Sequence, residues 1–141
     1  ALPIYCIQAG ALASGCQVEV EESEKYLGRV RNSVLDRIVR KNCELLGEPL
    51  MEGMIDDRGG EDFGNLSREF PGIMFYPSLL PEEKISNHTP RFYELCASSK
   101  AKEALLLGSK VLALSALDLL LAPDLLDLAR QELQTRLNNG E

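Results

Sequence analysis

His88 is the one histidine in 141 residues. Imidazole is both a proton-transfer group near neutral pH and a common metal ligand. His88 lies in SNHTPRF (86–92), a polar, proline-marked stretch between two apolar regions. Taken alone it admits two readings: a surface side chain with no task, or one member of a metal site whose other donors lie elsewhere. Zinc asks for three or four protein ligands. Without a second histidine, the chain cannot offer a common zinc motif by itself. Asp56, Asp57, Glu61 and Asp62 form the other cluster with chemical potential. Acids in a glycine-rich stretch can hold a hard cation or act as general base. On spacing alone they read as a solvated acidic loop, and no Asp-x-Asp-x-Asp-Gly run is present.

Other chemistries have little support. Cysteines stand at 6, 16, 43 and 96 with no Cys-x-x-Cys pair, which argues against a thiolate zinc or redox site. They read as buried free thiols of a reducing, cytoplasmic compartment. There is no Gly-x-Ser-x-Gly elbow. GGEDFG lacks the Gly-Lys-Ser/Thr end of a phosphate loop, and its acidic centre repels phosphate. The net charge of −7 opposes a nucleic-acid backbone and gives no attraction to an anionic membrane.

The elements that would position these residues follow from pattern. Residues 4–14 read as a helix rich in small residues, stopped by Gly15. CQVEVEE (16–22) alternates strictly, as a half-exposed strand does. Residues 25–33 read as a strand or strand plus turn. Asn32 or Ser33 can cap a helix over 34–46, ended by Gly47 and Pro49. Residues 47–65 hold five glycines and six acids in nineteen, a turn-rich boundary. Ile73 to Tyr76 reads as a short buried strand between prolines. Residues 81–90 form a polar loop. A mostly buried helix spans 100–121; Lys110 and Asp118 make it a poor membrane span. Pro123 opens a last helix. ALPIYCIQAG has no basic segment ahead of an apolar run and does not read as a signal peptide. Strands and helices in alternation give an α/β or α+β class.

Three blocks together resemble one family. AGALASGCQVEVE resembles the small-residue helix and strand of the smaller domain of dinuclear-zinc aminoacylases and dipeptidases. GGEDFGNLSREFPGI resembles the loop and strand by which that family returns to its catalytic domain. NHTPRFYELCAS with ALLLGSKVLALSALDLLLAPDLLDLARQEL resembles its C-terminal end. The resemblance covers nearly the whole chain. It is closest to the branch of amidohydrolases and cytosolic dipeptidases that cut dipeptides ending in basic residues.

That resemblance implies a division into 1–48, part of a smaller dimerisation or lid domain, and 49–141, the C-terminal loop, strand and helices of a catalytic domain. It implies that His88 ligates one of two zinc ions, which together would polarise an amide carbonyl and activate a water. Gly60, Glu61 and Asp62 would line the substrate end of the site, and Asn32 and Arg31 would approach substrate from the smaller domain. The family's His-x-Asp pair, bridging Asp and Glu-Glu pair do not occur in these 141 residues. The expectation is therefore the C-terminal portion of a zinc-dependent amidohydrolase or dipeptidase, inactive without an N-terminal part of the catalytic domain. Its substrate would be a small peptide or N-acyl amino acid, and it would be a homo-oligomer. The alternative is a truncated, non-catalytic homologue acting as an interaction or dimerisation module.

Overall fold

The computed structural model describes residues 2–48, 50, 62–79 and 85–140. These residues form six helices: α1 (Leu2–Ser14), α2 (Ser33–Leu45), α3 (Asp62–Glu69), α4 (Pro90–Cys96), α5 (Ser99–Leu121) and α6 (Pro123–Asn138). No strand occurs among the described residues. The alternating stretch 16–22 and the apolar stretch 73–76 both run without a ladder. Alternation shows that a segment suits a pleated surface; it does not supply the neighbour whose backbone must complete the ladder.

Helix boundaries follow local chemistry closely. Asn32 is extended (φ −131°), and its side-chain oxygen accepts from the Leu35 amide, which caps α2. Gly15 and Gly47 take φ of +69° and +79° after α1 and α2, a left-handed stop that a Cβ disfavours. Pro123 stands in the first turn of α6, where its missing N–H costs nothing. Within the stretch expected as a turn-rich boundary, residues 62–65 are helical and most of the rest lies outside the described residues. Asp62 opens α3, its carboxylate at the positive end of the helix dipole and Arg68 at the negative end. Glycine density concealed those two charges.

The core lies where α2 meets α5 and α6. Val34, Leu35 and Ile38 pack on Ala129, with Ile73, Leu119 and Leu125 around them. Val39 and Cys43 pack on Val111, with Phe75 and Leu107 beside them. Ile73 touches both clusters, so the 71–76 segment lies against the helical layer. Although α2 precedes the boundary drawn at residue 48, it packs with the C-terminal helices. Cys43 is buried, and burial pushes its thiol up from the ordinary 9.0, which makes it inert. Cys6, Cys16 and Cys96 are free and exposed, contrary to the expectation of buried thiols.

Polar ties register the helices. Asn42 donates to the Ser115 hydroxyl at 3.1 Å and to Asp118 at 3.0 Å, joining α2 to α5. Lys41 pairs with the same carboxylate at 3.4 Å. At the other end, Asn32 donates to the Ala129 carbonyl at 2.9 Å. Glu132 accepts from the Ser33 and Val34 amides and from the Ser33 hydroxyl, and Arg136 donates to it at 2.9 Å. A carboxylate thus neutralises the N-terminus of α2 from a neighbouring helix.

Burial opposes the charge on Glu132, but the Ser33 amide, Arg136, the Ser33 hydroxyl and the Val34 amide together outweigh it and hold its pKa below 4.5. The stabilisation is therefore complete above the unfolded-state value and is lost as pH falls through the lower folded one. Urea unfolding at stepped pH should show stability dropping below about 4.5, and Glu132→Gln should flatten that part of the curve.

α3 clasps residues 25–30, a stretch far away in sequence. The Asn65 side chain accepts from the Leu27 amide at 2.7 Å and donates to the Lys25 carbonyl at 3.0 Å. The Ser67 hydroxyl accepts from the Val30 amide at 3.0 Å, and Arg68 donates to the Gly28 carbonyl at 3.1 Å. Side chains here do what a partner strand would do for residues 25–30. A Cβ at Gly64 would collide with the Leu27 carbonyl, so glycine is what permits the approach.

α1 and α5 present wide apolar surface. Tyr5, Ile7 and Leu12 on α1 are exposed, as are Leu105, Leu106, Leu112, Leu117, Leu120 and Leu121 on α5. Of α5 only Ala104, Val111 and Ser115 are buried, which corrects the expectation of a mostly buried helix. By length and composition α5 is the one described helix that could cross a membrane.

Candidate metal-ligand site

His88 sits just ahead of α4, and α4 packs on α5. The site grows from a short sequence, Ser86-Asn87-His88-Thr89-Pro90. Thr89 is extended (φ −119°), and its hydroxyl accepts from the Phe92 amide at 3.2 Å, capping α4. Pro90 takes the first helical position. The Thr89 hydroxyl donates in turn to the Ser86 carbonyl at 2.8 Å, closing a tight turn around His88. His88 is held at φ +58°, the one non-glycine with positive φ among the described residues. That conformation is uncommon for a side chain with a Cβ, and such positions cluster at functional sites. The ring is exposed, and among the described residues it makes no hydrogen bond.

An exposed neutral imidazole has the donor chemistry of a zinc ligand. The described residues hold no group of three His, Cys, Asp or Glu side chains able to hold a metal ion. A zinc site at His88 would need its further donors from outside the described residues.

The other expected site residues are distributed differently. Gly60 and Glu61, with Asp56 and Asp57, lie outside the described residues. Asp62 is exposed at the start of α3. Arg31 is exposed one residue before α2's cap. Asn32 is 3% exposed, with its oxygen on the Leu35 amide and its nitrogen on the Ala129 carbonyl. Both ends of that amide serve the fold, so this placement gives Asn32 a structural task. His88 makes no polar contact with any of these residues among those described. Thr89, absent from the expected set, is the residue that shapes the His88 turn. The signal was Thr-Pro itself: a cap residue directly before a proline suited to the first helical position.

The similarity of this chain is to dipeptidases. It is 34% identical to the Xaa-Arg dipeptidase of mouse over 143 aligned residues, and 33% identical to the Xaa-Arg dipeptidase of human over 140. Each alignment takes in 96% of this chain but 32% of the relative, so the chain spans about a third of the length of these curated relatives. No family model matches the chain, and no solved structure matches it.

Proposed function

We propose that this chain is the C-terminal portion of a dinuclear-zinc dipeptidase or amidohydrolase, and that His88 is the metal ligand it supplies. The observation that carries the reading is the His88 turn: one exposed imidazole, held in the left-handed region, within a chain similar to Xaa-Arg dipeptidases over 96% of its length. Zinc in such a site would polarise the scissile carbonyl and lower the pKa of a bound water. This chain's task is to present the imidazole at a fixed position ahead of α4. Asp62, with Gly60 and Glu61 beside it in sequence, is proposed to line the substrate end.

The exposed leucines of α5 fit the same reading. An apolar surface of this extent on a lone domain marks a contact surface. We assign it to the remaining catalytic domain, whose sheet would also supply ladder partners for the 73–76 segment and restore an α/β architecture. An apolar cleft of about 230 Å³ between α2, Gly72–Ile73 and α5 is lined in part by one of these leucines, Leu112.

The relatives' name supports a dipeptide ending in arginine as the proposed substrate class. The test is an assay of the intact natural protein against paired dipeptides ending in Arg or Ala. Hydrolysis of the Arg member that stops on chelation and returns with zinc supports the proposal. Full activity after exhaustive metal removal overturns it.

A further inference from the structure

A second cleft, of about 320 Å³, lies between α2 and the junction of α5 with α6. Its size falls at the lower end of small-molecule pockets, about 300–1,000 Å³. Val34 and Ile38 line it from α2, Leu121 and Leu125 from α5 and α6. Of the exposed α5 leucines, only Leu121 lines this cleft. Arg37 and Lys41, one turn apart on α2, line it as well, with Asp118 on α5. An apolar lining with a few polar groups converging on it is the usual make-up of a ligand site.

The three charges are not equivalent. Asp118 is occupied: Lys41 pairs with one oxygen at 3.4 Å, and Asn42 donates to the other at 3.0 Å. The carboxylates near α2 are likewise matched, Asp36 with Arg40 at 2.7 Å and Glu132 with Arg136 at 2.9 Å. Arg37 is exposed, and among the described residues its one bond is a long contact of 3.4 Å to the Ser33 hydroxyl. A guanidinium can hold a planar carboxylate through two parallel N–H donors. Lys41 adds a second positive charge one turn further along. We propose that this cleft binds a small carboxylate with an apolar body. Its carboxylate pairs with Arg37, and its hydrocarbon lies against Val34, Ile38 and Leu125. A cationic ligand would meet Arg37 and Lys41, and a neutral one would forgo the charge pairing. The site owes nothing to His88 or to metal.

The probe is hydrocinnamate, titrated into the intact natural protein at low ionic strength. Binding is read from the methyl resonances of Val34, Ile38 and Leu125, which report this cleft. Hydrocinnamamide and phenethylamine are the charge controls. The expected result is saturable shifts with hydrocinnamate, about tenfold weaker binding of the amide and none of the amine. Arg37→Gln should weaken hydrocinnamate about tenfold and leave the amide unchanged. Leu121→Asp should also weaken hydrocinnamate, by placing a negative charge on the lining. Both positions are exposed, so neither change should disturb the fold. Added salt should weaken the carboxylate and not the amide. The proposal is overturned if those methyls show no saturable shift, if the three probes bind equally, or if Arg37→Gln leaves hydrocinnamate affinity unchanged. None of these readouts involves metal, so such a failure would leave the reading of His88 standing.

Discussion

On the proposed function, replacing His88 with alanine in the intact protein should remove tightly bound metal and lower peptide hydrolysis by about a thousandfold or more. The size follows from what is lost: metal polarisation and water activation supply several kcal/mol of transition-state stabilisation, and each 1.36 kcal/mol is tenfold in rate. Folding should be nearly indifferent. The ring is exposed and makes no hydrogen bond among the described residues, so its removal leaves no buried orphan. Backbone strain works in the same direction. Alanine inherits the unfavourable φ of +58°, whereas glycine adopts it freely. His88→Gly should therefore lose metal as completely as His88→Ala while melting no lower. A parallel loss of melting temperature in both variants would instead mean that His88 serves the fold.

Asn32→Ala should produce the opposite signature, a large loss of stability. The side chain caps α2 through the Leu35 amide at 3.1 Å and ties α2 to α6 through the Ala129 carbonyl at 2.9 Å. Loss of an N-cap costs about 1 kcal/mol, up to about 2. The Ala129 carbonyl keeps its bond inside α6, so the loss of the Asn32 donor adds about 0.5–1.5 kcal/mol. A total of about 1.5–3.5 kcal/mol is a large share of the ~5–15 kcal/mol typical of a domain. Asn32→Asp keeps the capping oxygen but turns an acceptor toward the Ala129 carbonyl, so it should recover little. Chemical denaturation measures both. If Asn32→Ala unfolds like the natural protein but shows a raised KM, the residue contacts substrate and the structural assignment is wrong.

These two residues show what the sequence reveals and what it conceals. Local signals were legible because their physics is local. The Asn32 cap, the Gly15 and Gly47 stops and the Pro123 start each depend on a few neighbouring backbone groups. The 34, 35, 38, 39 and 43 stripe on α2 likewise announced its buried face. What pattern could not show was the partner. Glu132 gives no sign that it serves the amides of Ser33 and Val34, about a hundred residues away. The row of Asn65, Ser67 and Arg68 gives none that it stands in for a strand beside residues 25–30. The 16–22 and 73–76 segments have strand character in composition, yet ladder formation is a property of two segments. For the site, the imidazole was legible by type and its neighbour Thr89 by spacing, but the left-handed backbone at His88 appears only in three dimensions.

The most direct test of the account is X-ray absorption or anomalous scattering on the zinc-loaded intact protein. The account predicts zinc bonded to a ring nitrogen of His88 at about 2.0–2.1 Å, with that bond absent from the His88→Ala variant. A fully ligated zinc centre that does not include His88 would contradict it.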